Sequence, residues 1–208
     1  MRLASPGRFA VALVLGMAFA VIVGGCSAST SPPPGACVDS RAPGTNPSLE
    51  ALLPSRLADQ PPATVDSGAN CSAAALATLE AHGVTELDFA GATWDAGNGA
   101  ATSIAVLALP AAAPLPVAWV EEFYEVGARS GKKTDNIAVS RPTFPDVGPV
   151  YRLDVLNDLS FQSVVVWPDG PVARVVIVAS PVNPSASRVE HDSRIEAAVQ
   201  AAAQAPDS

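Results

Sequence analysis

Two histidines, His82 and His191, are the only imidazoles in this 208-residue chain, so any Ser-His-Asp catalysis must use one of them. His82 precedes Gly83 at the expected end of a helix, where an imidazole meets terminal carbonyls and the helix dipole. His191 falls in the first turn of the last expected helix, between Glu190 and Asp192, and reads as part of a solvated face. The sequence contains no Gly-x-Ser-x-Gly elbow. Ser130-Gly131-Lys132-Lys133 has the Ser-x-x-Lys spacing of an activated serine, but Ser130 lies just past a helix end and the companion motifs Ser-Asp-Asn and Lys-Thr-Gly are missing. Glu121, Glu122 and Glu125 could exchange a proton or hold a hard cation. Crowded into one half of a helix, opposite an aromatic stripe, they read instead as a solvated acidic face. Trp94 and Trp167 each end a strand beside a tight turn. If both turns lay at one end of the sheet, the two rings would wall a pocket for an apolar or sugar ligand; otherwise they pack the core. Nothing in these patterns calls for a cofactor or a metal.

Thiol chemistry is better specified. Arg2 and Arg8 precede the 15 apolar residues Phe9–Val23, and Gly24, Gly25 and Cys26 follow at once. A membrane-spanning helix needs roughly 20 apolar residues, so this run is the length of a signal-peptide core rather than of an anchor. The arrangement resembles a bacterial lipoprotein signal peptide, with Val23-Gly24-Gly25-Cys26 as its lipobox. Gly24 stands where that family usually has Ala, Ser or Thr. The resemblance implies that the Cys26 sulfur receives a diacylglycerol unit and that cleavage leaves Cys26 as the first residue. Acyl chains of the palmitate type would then hold the mature protein on the extracytoplasmic face of the cell membrane. Two or more chains give the durable attachment that one does not.

If Cys26 carries lipid, Cys37 and Cys71 remain as an even pair in an oxidising compartment, and a Cys37–Cys71 disulfide is expected; the alternative is two buried free thiols. Without Cys-x-x-Cys spacing, and with two histidines in all, they do not form a zinc site.

Removing residues 1–25 takes Arg2 and Arg8 away and leaves ten basic side chains against 20 acidic ones, a formal charge of −10. An acidic body argues against nucleic acid as a partner and against electrostatic adhesion to anionic lipid. Contact with the membrane would then run through the Cys26 lipid alone. The chain divides into a signal peptide (1–25), a lipidated cysteine with a Ser/Pro tether (26–36), and one domain (37–208) that opens with a Pro-rich arm.

Within that domain, Leu49, Leu52, Leu53 and Leu57 have the spacing of a short helix lying on the core. A helix is expected over 72–82 and a hairpin over 84–109 around Asn98-Gly99. Another helix is expected over 116–129, then a short extended piece over 137–140 and three strands between 150 and 179. The last helix should begin at the capping box Ser187-x-x-Glu190 and bury Ile195, Ala198, Val199 and Ala202. Hairpin-length connections predict an α+β domain with a mostly antiparallel sheet of about 5–6 strands and helices on one face. The expectation for function is a lipid-anchored envelope protein that binds a partner protein or a small apolar ligand without catalysis. The alternative is an envelope hydrolase whose site comes from separate loops and leaves no local motif.

Overall fold

The computed structural model describes residues 37–131, 134–157, 160–182 and 187–205. Cys26, its signal sequence and the tether therefore lie outside the described residues, as do Lys132 and Lys133. The strands are β1 (Ser40–Ala42), β2 (Thr64–Asn70), β3 (Leu87–Gly97), β4 (Ala100–Ala108), β5 (Thr134–Ser140), β6 (Thr143–Phe144), β7 (Gly148–Pro149), β8 (Tyr151–Asn157), β9 (Ser160–Asp169) and β10 (Val172–Pro181). The helices are α1 (Pro47–Glu50), α2 (Ala73–Leu76), α3 (Thr78–Ala81), α4 (Val117–Ser130) and α5 (Arg188–Ala203).

One 8-stranded sheet, in the order β1-β2-β3-β4-β10-β9-β8-β5, organises the domain, and every pairing in it is antiparallel. It is larger than the five or six strands expected. The additional strands are β1 and β2, drawn from the arm that reads as irregular because Thr64-Val-Asp-Ser-Gly-Ala-Asn70 is poor in β-formers. Gly68 shows why the segment is built this way: a Cβ there would stand 1.9 Å from the Ser40 carbonyl oxygen of β1.

The two faces of the sheet are covered by different helices, which corrects the one-face expectation. Alternate residues of the same strands feed two apolar clusters. Ala90, Ala92, Ile104, Val106, Val165, Val176 and Val178 pack with α5 (Ile195, Ala198, Val199, Ala202) and with Leu49, Leu52 and Leu53. Phe89, Ala105, Leu107, Leu153, Val166 and Val175 pack with Leu76, Leu79 and Val120 of α2, α3 and α4. Central strands buried on both sides read as near-continuous apolar runs, and β10 (Val-Ala-Arg-Val-Val-Ile-Val-Ala) is one. Its one charge, Arg174, is 1% exposed. The guanidinium donates to Asp169 Oδ2 at 2.6 Å and to the Leu52 carbonyl at 2.7 Å, tying the leucine segment to the sheet.

The 72–82 helix is broken into α2 and α3 at Ala77, whose φ of 45° and ψ of −118° are not helical. Cys37 and Cys71 form a disulfide with Cα atoms 5.8 Å apart. Asp39 then caps the junction, accepting from the Cys71 and Ser72 amides at 2.5 and 2.8 Å and from the Ser72 hydroxyl at 2.6 Å.

Strand direction fixes which features share an end of the sheet. Because β10 pairs antiparallel with β4, the β3–β4 turn at 97–99 and the β9–β10 turn at 169–171 lie at opposite ends. Asn70 pairs with Leu87, the first residue of β3, so the disulfide lies at the same end as the β9–β10 turn. The 11 residues of β3 put the β3–β4 turn about 30 Å from it.

Candidate functional site

α5 begins at the capping box: Ser187 Oγ accepts from the Glu190 amide at 3.1 Å, and Glu190 Oε2 accepts from the Ser187 amide at 3.2 Å. This start places His191 one turn before Ile195 on the stripe that faces the sheet. His191 is 1% exposed, not part of a solvated face. β8 presents Arg152 and Asp154 to the same side, and β9 presents Ser163.

The resulting network has a defined direction. Burial opposes ionisation of Asp154, but the Ser163 hydroxyl and the Arg152 and Arg188 guanidinium groups outweigh it and hold the carboxyl below its ordinary range. An ionised carboxylate only accepts, so the Ser163 hydroxyl donates to Asp154 Oδ1. Ser163 Oγ in turn accepts from His191 Nε2 at 2.8 Å. Burial first, and then the nearby Arg188, push the His191 imidazole down to about 4, against the pull of Asp192 and Asp154. At neutral pH the ring is uncharged, so Nδ1 accepts from the Ser180 hydroxyl at 2.9 Å. Arg152 and Arg188 are shared between Asp154 and Asp192.

Ser180 and His191 also line a cleft of about 210 Å³. The β3–β4 turn (Ala96, Gly97, Asn98, Ala100) forms one side, and Pro181, Glu190 and Arg194 complete it. Arg194 reaches Ser180 Oγ at 3.5 Å. A second cleft of about 410 Å³ lies at the other end of the sheet, between the 82–86 loop, Leu109, Pro110 and Trp119. There the His82 ring stacks on Trp119 at 4.7 Å, and His82 Nε2 lies 2.7 Å from Glu122 Oε2. His82 is thus engaged by a ring and a carboxylate rather than by helix-terminal carbonyls, and these groups satisfy one another.

The other sequence candidates are dispersed. Glu121, Glu122 and Glu125 each have a separate partner, which replaces the simple solvated face: Arg141 clamps Glu121 through two 2.6 Å bonds, His82 meets Glu122, and Arg129 and Tyr151 hold Glu125. No group of three or more metal-ligating side chains occurs among the described residues. Ser130 Oγ donates to the Gly127 carbonyl at 2.9 Å, while Lys133 is outside the described residues. Trp94 and Trp167, 5% and 4% exposed, belong to the core cluster beneath α5 and line neither cleft. Their turns are at opposite ends of the sheet, so the two rings cannot wall one pocket at an end; Trp94 Nε1 instead donates to the Gln60 carbonyl at 3.0 Å.

The network predicts a distinct acid sensitivity. The unfolded chain protonates this histidine near pH 6.5, whereas the folded chain does not until about pH 4. The stabilisation is therefore complete above pH 6.5 and is lost as pH falls to 4, by roughly 3 kcal/mol. Asp39, Asp154 and Glu125, all held below their usual range, begin to lose theirs as pH falls through their ordinary values, 4.5 for Glu125 and 3.8 for the two aspartates. Urea midpoints measured across this range should fall between pH 6.5 and 4 for wild type. For His191→Gln they should stay flat between about pH 6.5 and 5.

Compared with known proteins, the chain matches no family model, no curated protein and no solved structure.

Proposed function

We propose that this protein is a lipid-anchored extracytoplasmic binding module, with the cleft between the β3–β4 turn and α5 as its ligand site. The observation that carries this reading is the position of the Cys37–Cys71 disulfide. It lies at the sheet end where the chain arrives from Cys26, about 30 Å from the cleft. Lipid on Cys26 would turn the disulfide end toward the bilayer and the cleft away from it, toward whatever reaches the envelope surface. Among the described residues no helix is long and apolar enough to cross a membrane.

Fractionation of cells tests the anchor. Wild type should sediment with membranes and stay there in high salt, whereas Cys26→Ser should move to the soluble fraction or remain as the uncleaved precursor. Equal membrane retention of a processed Cys26→Ser chain would overturn the reading.

A hydrolase is favoured by one observation, the Ser180 hydroxyl bonded to His191 Nδ1 at the cleft wall. In that reading Ser180 attacks an acyl carbon and His191 takes its proton, oriented through Ser163 by Asp154. An imidazole held near 4 is a weak base at neutral pH, and burial with Arg188 nearby penalises the imidazolium it would become. Binding is thus the better account. Short-chain nitrophenyl esters should show no turnover that Ser180→Ala abolishes; turnover lost in that variant would establish the hydrolase instead.

A further inference from the structure

Among the described residues, six of the eight arginines are held in ion pairs. Arg41, Arg129, Arg141, Arg152, Arg174 and Arg188 each pair with a carboxylate. Arg56 is exposed and donates to the Asp59 carbonyl. Arg194 is the exception that borders a cavity: among the described residues its only hydrogen bond is the 3.5 Å contact to Ser180 Oγ.

Among the described residues, the neighbouring acids make no ion pair with it. Glu190 stands four residues before Arg194 on α5, the spacing of a favourable helix ion pair. The capping box turns its carboxylate back to the Ser187 amide instead. Asp192 is taken by Arg152 and Arg188. Other polar groups face the same space. Asn98 sits in the β3–β4 turn with φ of 53°, and among the described residues no hydrogen bond engages its side-chain amide. The Ser180 hydrogen points at His191, which leaves its oxygen turned toward Arg194. Ala96, Ala100 and Pro181 provide short apolar walls.

We infer that the cleft binds a small monocarboxylate that also carries an amide, of the size and chemistry of a short N-acylated amino acid. This deepens the binding-module reading and rests on it. Arg194 offers a planar fork to the carboxylate, which matches two oxygens better than a point charge does. The Asn98 amide meets the ligand amide, and the alanines and Pro181 take its few carbons. With Glu190 also on the cleft wall, a doubly charged phosphate is repelled more strongly than a singly charged carboxylate. About 210 Å³ is below the usual volume of drug-sized sites, so the ligand is small.

Calorimetric titration of the detergent-solubilised full-length protein tests this with three probes: N-acetylglycine, its uncharged amide N-acetylglycinamide, and inorganic phosphate. Wild type should bind N-acetylglycine with Kd on the order of 0.1–1 mM, as fits so few atoms, and bind the other two at least tenfold more weakly. Arg194→Gln should weaken N-acetylglycine about tenfold or more with an unchanged thermal midpoint, and Arg194→Lys should recover only part of the loss. Equal affinity for the amide, tighter binding of phosphate, or indifference to Arg194→Gln would overturn the carboxylate assignment. So would silence with every probe. None of these outcomes touches the anchor, which the fractionation of Cys26→Ser decides independently.

Discussion

Asp154→Ala should lower stability by about 3 kcal/mol at pH 7, read as a shift in the urea midpoint. For a domain of this size, that corresponds to a fall of about 10 °C in Tm. The magnitude follows from what the carboxylate holds. Arg152 Nε donates to it at 3.0 and 3.1 Å, Arg188 Nη2 at 2.7 Å, and the Ser163 hydroxyl completes the set. The side chains of Arg152 and Asp154 are only 14% and 17% exposed, so water cannot replace the missing partner freely. Removing one member of a buried ion pair typically costs about 3–5 kcal/mol, and the lower end applies because Asp192 still serves both arginines. The loss should also travel along the chain of hydrogen bonds. With no acceptor at position 154, the Ser163 hydroxyl is free to donate to His191 Nε2, the ring must change tautomer, and Ser180 loses its acceptor. NMR of the imidazole nitrogens should therefore report proton relocation from Nε2 to Nδ1 in Asp154→Ala. An unchanged tautomer with an unchanged midpoint would show that the network does not hold α5 to the sheet.

Breaking the Cys37–Cys71 bridge should cost about as much by a different mechanism. A crosslink spanning 34 positions removes chain entropy from the unfolded state worth about 3–4 kcal/mol. Within the folded domain the bridge secures β1, an edge strand of only three residues, to the end of β2. The paired Cys37→Ser, Cys71→Ser variant should thus unfold at lower urea. Its β1 and β2 amides should exchange quickly, while β10, buried on both faces, keeps its protection. Uniform loss of protection across the sheet would show that the arm and the sheet unfold as one unit.

Much of this architecture was readable from local chemistry. The capping box at Ser187 and Glu190, the Asn98-Gly99 turn and the alternation Tyr151-Arg-Leu-Asp-Val155 each specify structure within a few residues, and each element stands where those signals put it. The Cys37–Cys71 disulfide is the pairing that parity gives if Cys26 carries lipid. What escaped depends on partners distant in sequence. β2 is a strand because it pairs with β3, β1 because it pairs with β2, and Gly68 marks the close approach of β1 rather than a turn. The polar face of β8 looks solvent-directed until α5 covers it, and then Arg152 and Asp154 become half of an ion network.

His191 differs in this respect, because its burial is written in the periodicity of its own helix. Its neighbours Glu190 and Asp192 gave it a polar setting, yet it falls four residues before Ile195, on the stripe already expected to be buried. Following that periodicity back by one turn would have placed an imidazole under the helix and asked for its partners. Ser163 and Ser180 answer from strands far from it in sequence, and only the sheet register shows that they converge.

We propose above all that an oxidised domain hangs from lipid on Cys26. Intact mass spectrometry of the mature protein extracted from membranes tests it most directly. The account predicts a chain that begins at Cys26, carries a diacylglyceryl unit there, and is two hydrogens lighter than the fully reduced form. A mature chain that begins elsewhere, or one whose Cys26, Cys37 and Cys71 are all free thiols, would contradict it.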